Sequence, residues 1–191
     1  MRYDSVTRWL HAGLALGISV QLILSLVMAA PVPGEARSAF SSAAFEAHEV
    51  LGMTILGLLA AHWVWQLMGH AVYGFGHLFP WFSASRRDAI VAEVKRVAKS
   101  RLRKWSEDGA LAGGAHGLGL LVASAMAVSG GVLFFGMAES GAMPPPVHIV
   151  KEIHGFIATF MWIYIGAHAG MAVLHQYLGH RTLSEMFTLK K

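Results

Sequence analysis

The chain has no cysteine. That absence removes disulfides, cysteine-ligated iron–sulfur clusters, thiolate nucleophiles and covalent c-type haem attachment together. Charge is the second shortage: only 14% of the 191 residues are Asp, Glu, Lys or Arg, while 55% are apolar and the mean hydropathy is +0.51. A chain so poor in charge reads as a membrane protein, and its length suits one domain, residues 1–191. Acidic residues are scarcer than basic ones, giving a formal net charge of +4 and a pI near 9.6. Nucleic-acid binding also fits such a balance, so the placement of the charges must decide between the two. What remains for metal chemistry is histidine, present 11 times.

Taken in order, residues 1–8 are a short polar start, and residues 9–30 form a first apolar run long enough to cross a bilayer. A cleaved leader shares this outline, but about twenty apolar residues exceed a leader's usual core. Within the run, Gly13 and Gly17 lie four apart, a spacing that allows a close helix contact inside one bundle or between protomers. Residues 31–45 are a short loop carrying Glu35 and Arg37. Residues 46–68 form a second span, with His48 near its start and His62 near its end beside Trp63 and Trp65. Aromatics of that kind favour the membrane interface.

Residues 69–109 are the longest polar connection. Phe79, Pro80, Trp81 and Phe82 form an interfacial patch, and Ser85 with Asp88 reads as a helix start. An amphipathic helix is expected over about residues 86–105: Ile90, Val91, Val94, Val97, Ala98, Leu102 and Trp105 share one face, and Arg86, Arg87, Lys95, Arg96, Lys99 and Arg103 lie mostly off it. Such a helix suits anionic headgroups, with protein docking as the rival use. Residues 110–138 form a third span, rich in glycine at 113, 114, 117, 119, 130 and 131 and holding His116. The glycines permit close approach of a neighbouring backbone or a macrocycle. A connection with three consecutive prolines, 144 to 146, and His148 leads to a fourth span over residues 152–179, followed by a polar tail.

Four spans put both termini on one side of the membrane. All Lys and Arg residues except Arg37 and Lys151 then fall on that side, in the two tails and the middle connection. The positive-inside rule makes that side cytoplasmic, so the expected location is a bacterial inner membrane with the two short connections facing a periplasm. The charge therefore speaks for lipid and against nucleic acid.

His48 and His62 on the second span, and His154 and His168 on the fourth, share a separation of fourteen residues. Fourteen residues are two heptads, and at 1.5 Å per residue they separate two imidazoles by about 21 Å, most of the way across a core of about 30 Å. A lone histidine in such a span is more often a packing residue. Two spans with one interval point instead to bis-imidazole haem ligation between helices of a bundle. By depth, His48 and His154 lie near the outer face, where they form the one obvious pair. His11, His62, His116 and His168 lie near the inner face. Spacing favours His62 with His168 there, and does not exclude His11 with His168.

The sequence resembles the bacterial cytochrome b561 family and the related cytochrome b subunits of nickel hydrogenases and formate dehydrogenases. The likeness is carried by Arg2, Tyr3 and Asp4, by Trp9, Leu10 and His11, by Ala47, His48 and Gly52, and by Gly114, Ala115 and His116. In the fourth span it is carried by Lys151, Glu152, Ile153 and His154, by Gly166, Ala167 and His168, and by His175, Gln176 and Tyr177. The resemblance implies an all-α, four-helix membrane bundle with two b-type haems, the outer held by His48 and His154 and the inner by His11 and His168. His62 departs from the pattern, since many relatives place there an arginine suited to a haem propionate. It becomes a propionate or quinone partner or the alternative inner ligand, while His116 and His175 become supporting or propionate contacts. His148, just after the three prolines, has two readings, an approach to the outer haem edge and a solvated loop position, of which the second is the commoner for a loop histidine.

The implied function is electron transfer in a respiratory chain between membrane quinone, ubiquinone or menaquinone, and a periplasmic redox protein. Alternatives are a haem-bearing anchor subunit of a larger oxidoreductase and a superoxide:quinone oxidoreductase; a histidine-lined metal or haem transporter is a further one. Iron with both axial positions filled by imidazole has no open site for substrate, which favours one-electron transfer. Because the chain lacks cysteine, its haem should extract completely into acidified organic solvent, leaving no haem-stained band on a denaturing gel. A band that survives extraction would contradict a b-type assignment.

Overall fold

A computed structural model describes residues 4–71, 73–99 and 109–179, with the single positions 183 and 186. The described elements are six α-helices and one short 3₁₀ turn: α1 (Ser5–Val27), α2 (Ala39–Leu67), α3 (Phe75–Leu78), the turn Pro80–Phe82, α4 (Ala84–Ala98), α5 (Ala110–Gly136) and α6 (Pro145–Tyr177). No strand occurs among the described residues. Helices α1, α2, α5 and α6 are long and apolar enough to cross a membrane. Large apolar side chains such as Leu16, Leu26, Phe135 and Ile163 point outward along them. In hydrocarbon, helices that close their own hydrogen bonds and present such a surface are among the few structures that can span.

Three of the four spanning helices start earlier than the limits drawn by hydropathy, and local groups explain these starts. Helix α1 starts at Ser5 because Asp4 accepts the Thr7 N–H at 2.8 Å and the Thr7 hydroxyl at 2.6 Å. Helix α2 starts at Ala39, seven residues ahead of the hydropathy limit, because Ser38 Oγ accepts the Ser41 N–H at 3.1 Å. Helix α6 starts at Pro145, where prolines that would break a helix interior are tolerated in a first turn with no partner for its amides. Helix α4 starts at Ala84 behind Ser83, whose φ of −121° and ψ of 129° are extended. The position before the helix is thus Ser83, whose Oγ lies 3.1 Å from Ser85 Oγ, and the expected cap Ser85 falls inside α4. Gly69 follows α2 at φ +71° and Gly179 follows α6 at φ +92°, left-handed positions that favour glycine.

The chain packs as two compact units. One comprises Leu10–Ala61 and Val122–Ile163. In it, Gly13 and Gly17 lie on the wall of α1 facing α2: a Cβ at Gly17 would come within 3.1 Å of Ile55, and one at Gly13 within 3.3 Å of Leu58. The paired glycines of the first span therefore serve a contact within the chain. Buried Leu14, Leu22, Ala44, Ile55, Leu59, Ala123 and Met161 fill this unit.

The other unit comprises Met1–Trp9, His62–Leu121 and Tyr164–Lys191. Here the first glycines of α5 receive a piece of the connection between α2 and α4. A Cβ at Gly113 would collide with the His77 carbonyl, one at Gly117 with the Leu78 carbonyl, and one at Gly114 would meet Pro80 at 3.1 Å. Pro80 is fully buried, and Phe82 alone of the expected interfacial patch is largely exposed. Trp63 stacks on Phe75 and Phe79 at 6.3 and 6.2 Å between ring centroids.

Helix α4 joins the same unit through one buried acid. The Glu93 carboxylate accepts the Ala110 N–H at 3.2 Å and the Leu111 N–H at 2.9 Å, so it caps the start of α5. Gly109 has no room for a Cβ because the same carboxylate occupies that space. Around it Val91, Val94, Arg86, Arg87, Lys95, Arg96 and Lys99 are exposed, while Ile90 is half-buried. Leu102, Arg103 and Trp105, and the side chains of Val97 and Ala98, lie outside the described residues. Replacing Glu93 by Ala strands two amides at a buried helix start and should destabilise the protein by about 1–3 kcal/mol. Thermal unfolding in detergent should show a lower midpoint for Glu93→Ala and a smaller drop for Glu93→Gln, which keeps one acceptor; equal midpoints in all three would refute the cap.

Candidate metal centre

Two imidazoles from different helices meet at one cavity in the Leu10–Ala61 and Val122–Ile163 unit. His48 of α2 and His154 of α6 both line a space of about 290 Å³. The rest of the wall is mostly apolar, with six methionines, Met28, Met53, Met126, Met137, Met143 and Met161. Methionine is unbranched and polarizable, so such a wall can follow the outline of a large flat ligand. Lys151 and Glu49 supply the charge on the wall.

The two imidazoles are held differently. His154 has its Nδ1 2.8 Å from the Ser129 hydroxyl of α5. A Cβ at Gly130 would lie 3.3 Å from His154 Cε1, so the absence of a side chain there gives the ring its place. His48 is secured through its backbone: Gln21 of α1 donates Nε2–H to the His48 carbonyl at 2.8 Å. Its Nδ1 is buried with no hydrogen-bond partner among the described residues, as is Gln21 Oε1. Gly52 leaves room for Gln21, since a Cβ there would come within 3.1 Å of Nε2.

The other unit gathers a second set. The His116 ring of α5 and the His168 ring of α6 meet edge to face at 5.4 Å, and Tyr164 stacks on His168 at 5.4 Å with an interplanar angle of 17°. The Tyr164 hydroxyl lies 3.5 Å from His168 Nδ1. Gly119 is where Tyr164 fits, because a Cβ there would overlap the phenol. His62 and Trp65 each have a ring nitrogen buried with no hydrogen-bond partner among the described residues. His175 is buried near the end of α6.

The remaining histidines fall as follows. His11 is half-buried on α1 in the unit that holds His48 and His154. His70 stacks on Trp65 at 4.9 Å and His77 on Tyr73 at 4.3 Å, which gives both packing roles. His148 is exposed in the first turns of α6 and does not line the cavity. His180 lies outside the described residues.

Among the described residues, no three His, Asp or Glu side chains cluster as they would around a bare metal ion. The donor set at the cavity is two imidazoles in an apolar enclosure. That fits an iron whose other ligands come from its own macrocycle, and haem is the group of that kind. Ser129, Gln21, Tyr164 and Glu93 were not singled out by spacing. The available signal was a polar residue inside an apolar run, which marks Gln21 and Ser129 but not their partners.

Compared with known proteins, the chain matches the family described as prokaryotic cytochrome b561 over residues 2–189. No curated protein and no solved structure matches it.

Proposed function

The chain belongs to the prokaryotic cytochrome b561 family, and from that premise we propose that it carries electrons across the bacterial inner membrane between quinone and a periplasmic redox protein, using two b-type haems. Its membership makes it a multi-pass membrane cytochrome of electron transfer with b-type haem. The observation that carries the finer reading is the convergence of His48 and His154 on one apolar cavity. When bound there, haem supplies a one-electron couple at iron.

The chain's own residues have the following work. His48 from α2 and His154 from α6 would hold the outer haem through their imidazoles. The methionines give the cavity an apolar wall, Gly130 leaves space for the His154 ring, and Gly52 leaves space for Gln21. Lys151, the basic side chain on the wall, suits a propionate. For the inner haem the family pattern supports His11 and His168, with His62 as the alternative ligand or as a propionate or quinone partner. Tyr164 and His116 flank the His168 ring and limit its rotation, and His175 is kept as a supporting contact. Arg86, Arg87, Lys95, Arg96 and Lys99, exposed on and just past α4, support a cytoplasmic site beside anionic lipid.

Haem content and redox titration with visible spectra of the purified chain test this reading. His48→Ala and His154→Ala should each halve the haem b content and remove one of two titrating components. His168→Ala and His11→Ala should remove the other, whereas His62→Ala should keep both haems and move only the second midpoint. Full haem content in His154→Ala would overturn the outer assignment, and loss of a haem from His62→Ala with none from His11→Ala would exchange the inner ligand.

A further inference from the structure

Ser129 is buried on α5 and has three polar neighbours. Its Oγ lies 2.7 Å from the Ala125 carbonyl, 3.0 Å from the Met126 carbonyl and 2.8 Å from His154 Nδ1. A hydroxyl owns one proton, and carbonyl oxygens can only accept. An oxygen–oxygen approach of 2.7 Å places that proton toward Ala125. The Ser129 oxygen therefore turns a lone pair to His154, and Nδ1 carries the hydrogen, for which the Met126 carbonyl is a second acceptor beside Ser129. In a neutral imidazole with its proton on Nδ1, the lone pair is on Nε2, the nitrogen left to bind a metal.

No equivalent arrangement is seen at the facing ligand. His48 Nδ1 is buried without a hydrogen-bond partner among the described residues, and the contact from Gln21 goes to the His48 backbone. Among the described residues, one ring of the pair is thus oriented by a neighbouring helix, while the hydrogen bond from Gln21 to the other histidine reaches its main chain.

We propose that Ser129 is a positioning residue that fixes His154 in its Nδ1-protonated form and makes it the more strongly donating of the two outer axial ligands, with His48 the less constrained one. This rests on reading His48 and His154 as the outer haem ligands. A hydroxyl that accepts from Nδ1–H makes the imidazole a better donor, which favours ferric over ferrous iron and lowers the midpoint of that haem.

The test uses Ser129→Thr and Ser129→Val in the full chain, because these side chains have nearly the same shape and differ in a hydroxyl. Haem content, redox titration and low-temperature electron paramagnetic resonance are read on each. Ser129→Thr should keep both haems and the original midpoints. Ser129→Val should raise one midpoint by up to about tenfold in the redox equilibrium, about 59 mV for a one-electron couple, and alter the low-spin signal of that haem alone. Loss of that haem from Ser129→Val but not from Ser129→Thr would support the same conclusion. Matching midpoints and signals in the two variants, or loss of haem from both, would overturn the proposal and leave Ser129 a packing residue. His154→Ala is run beside them: if it keeps its full haem content, the ligand assignment itself fails, an outcome separate from a failure of Ser129 alone.

Discussion

A nitrogen lone pair among apolar helices has few ways to be satisfied, and that restriction shapes the region around His154. Water is scarce, and the helix backbone has already used its own donors and acceptors. The imidazole has two nitrogens to place, and it finds its partners on α5, in the Ser129 hydroxyl and the Met126 carbonyl. Ser129 takes one of them at 2.8 Å, which leaves the other for the cavity. The serine can do this only because its own proton is directed back to the helix at Ala125 and Met126. Gly130, the next residue, supplies the room that this orientation needs.

The same economy of space runs through the rest of the molecule. Seven glycines lie along α5, the last of them, Gly136, against Val147, and they have separate duties. Gly113, Gly114 and Gly117 admit the segment around His77, Leu78 and Pro80, and Gly119 admits the Tyr164 phenol. Gly130 admits the His154 ring, and Gly131 lies against Leu56 with a prospective Cβ contact of 3.4 Å. Small residues are the usual means by which membrane helices approach one another, since burial of apolar surface provides little drive between helices already in lipid. In α5 they also make way for the aromatic and imidazole rings on which the proposed electron-transfer function depends.

Polar groups hold together what the membrane cannot. Glu93 ties α4 to the first amides of α5, so the helix that carries most of the basic surface is attached to a spanning helix by a buried carboxylate. Gln66 does comparable work at the end of α2, donating to the Tyr73 carbonyl at 2.6 Å. With the Glu93 link the exposed charges of α4 have a fixed seat against the start of α5.

Much of this was readable before any coordinates. The four spans follow from a local property, hydropathy over about twenty residues, and the family likeness from short motifs along the chain. Helix limits were less legible, because a hydropathy window does not register the caps at Asp4 and Ser38 or the tolerance of a first turn for Pro145. Spacing placed His62 and His168 at one depth but could not choose between His62 and His11. The sequence by itself determined the membrane class, since hydropathy and length along a helix of constant rise are enough to decide it. Only the tertiary structure decided that Ser129 meets His154, that Glu93 caps α5 and that each glycine of α5 has its own occupant. Those contacts depend on how each helix is rotated about its axis against its neighbours, a quantity that no spacing within one helix contains.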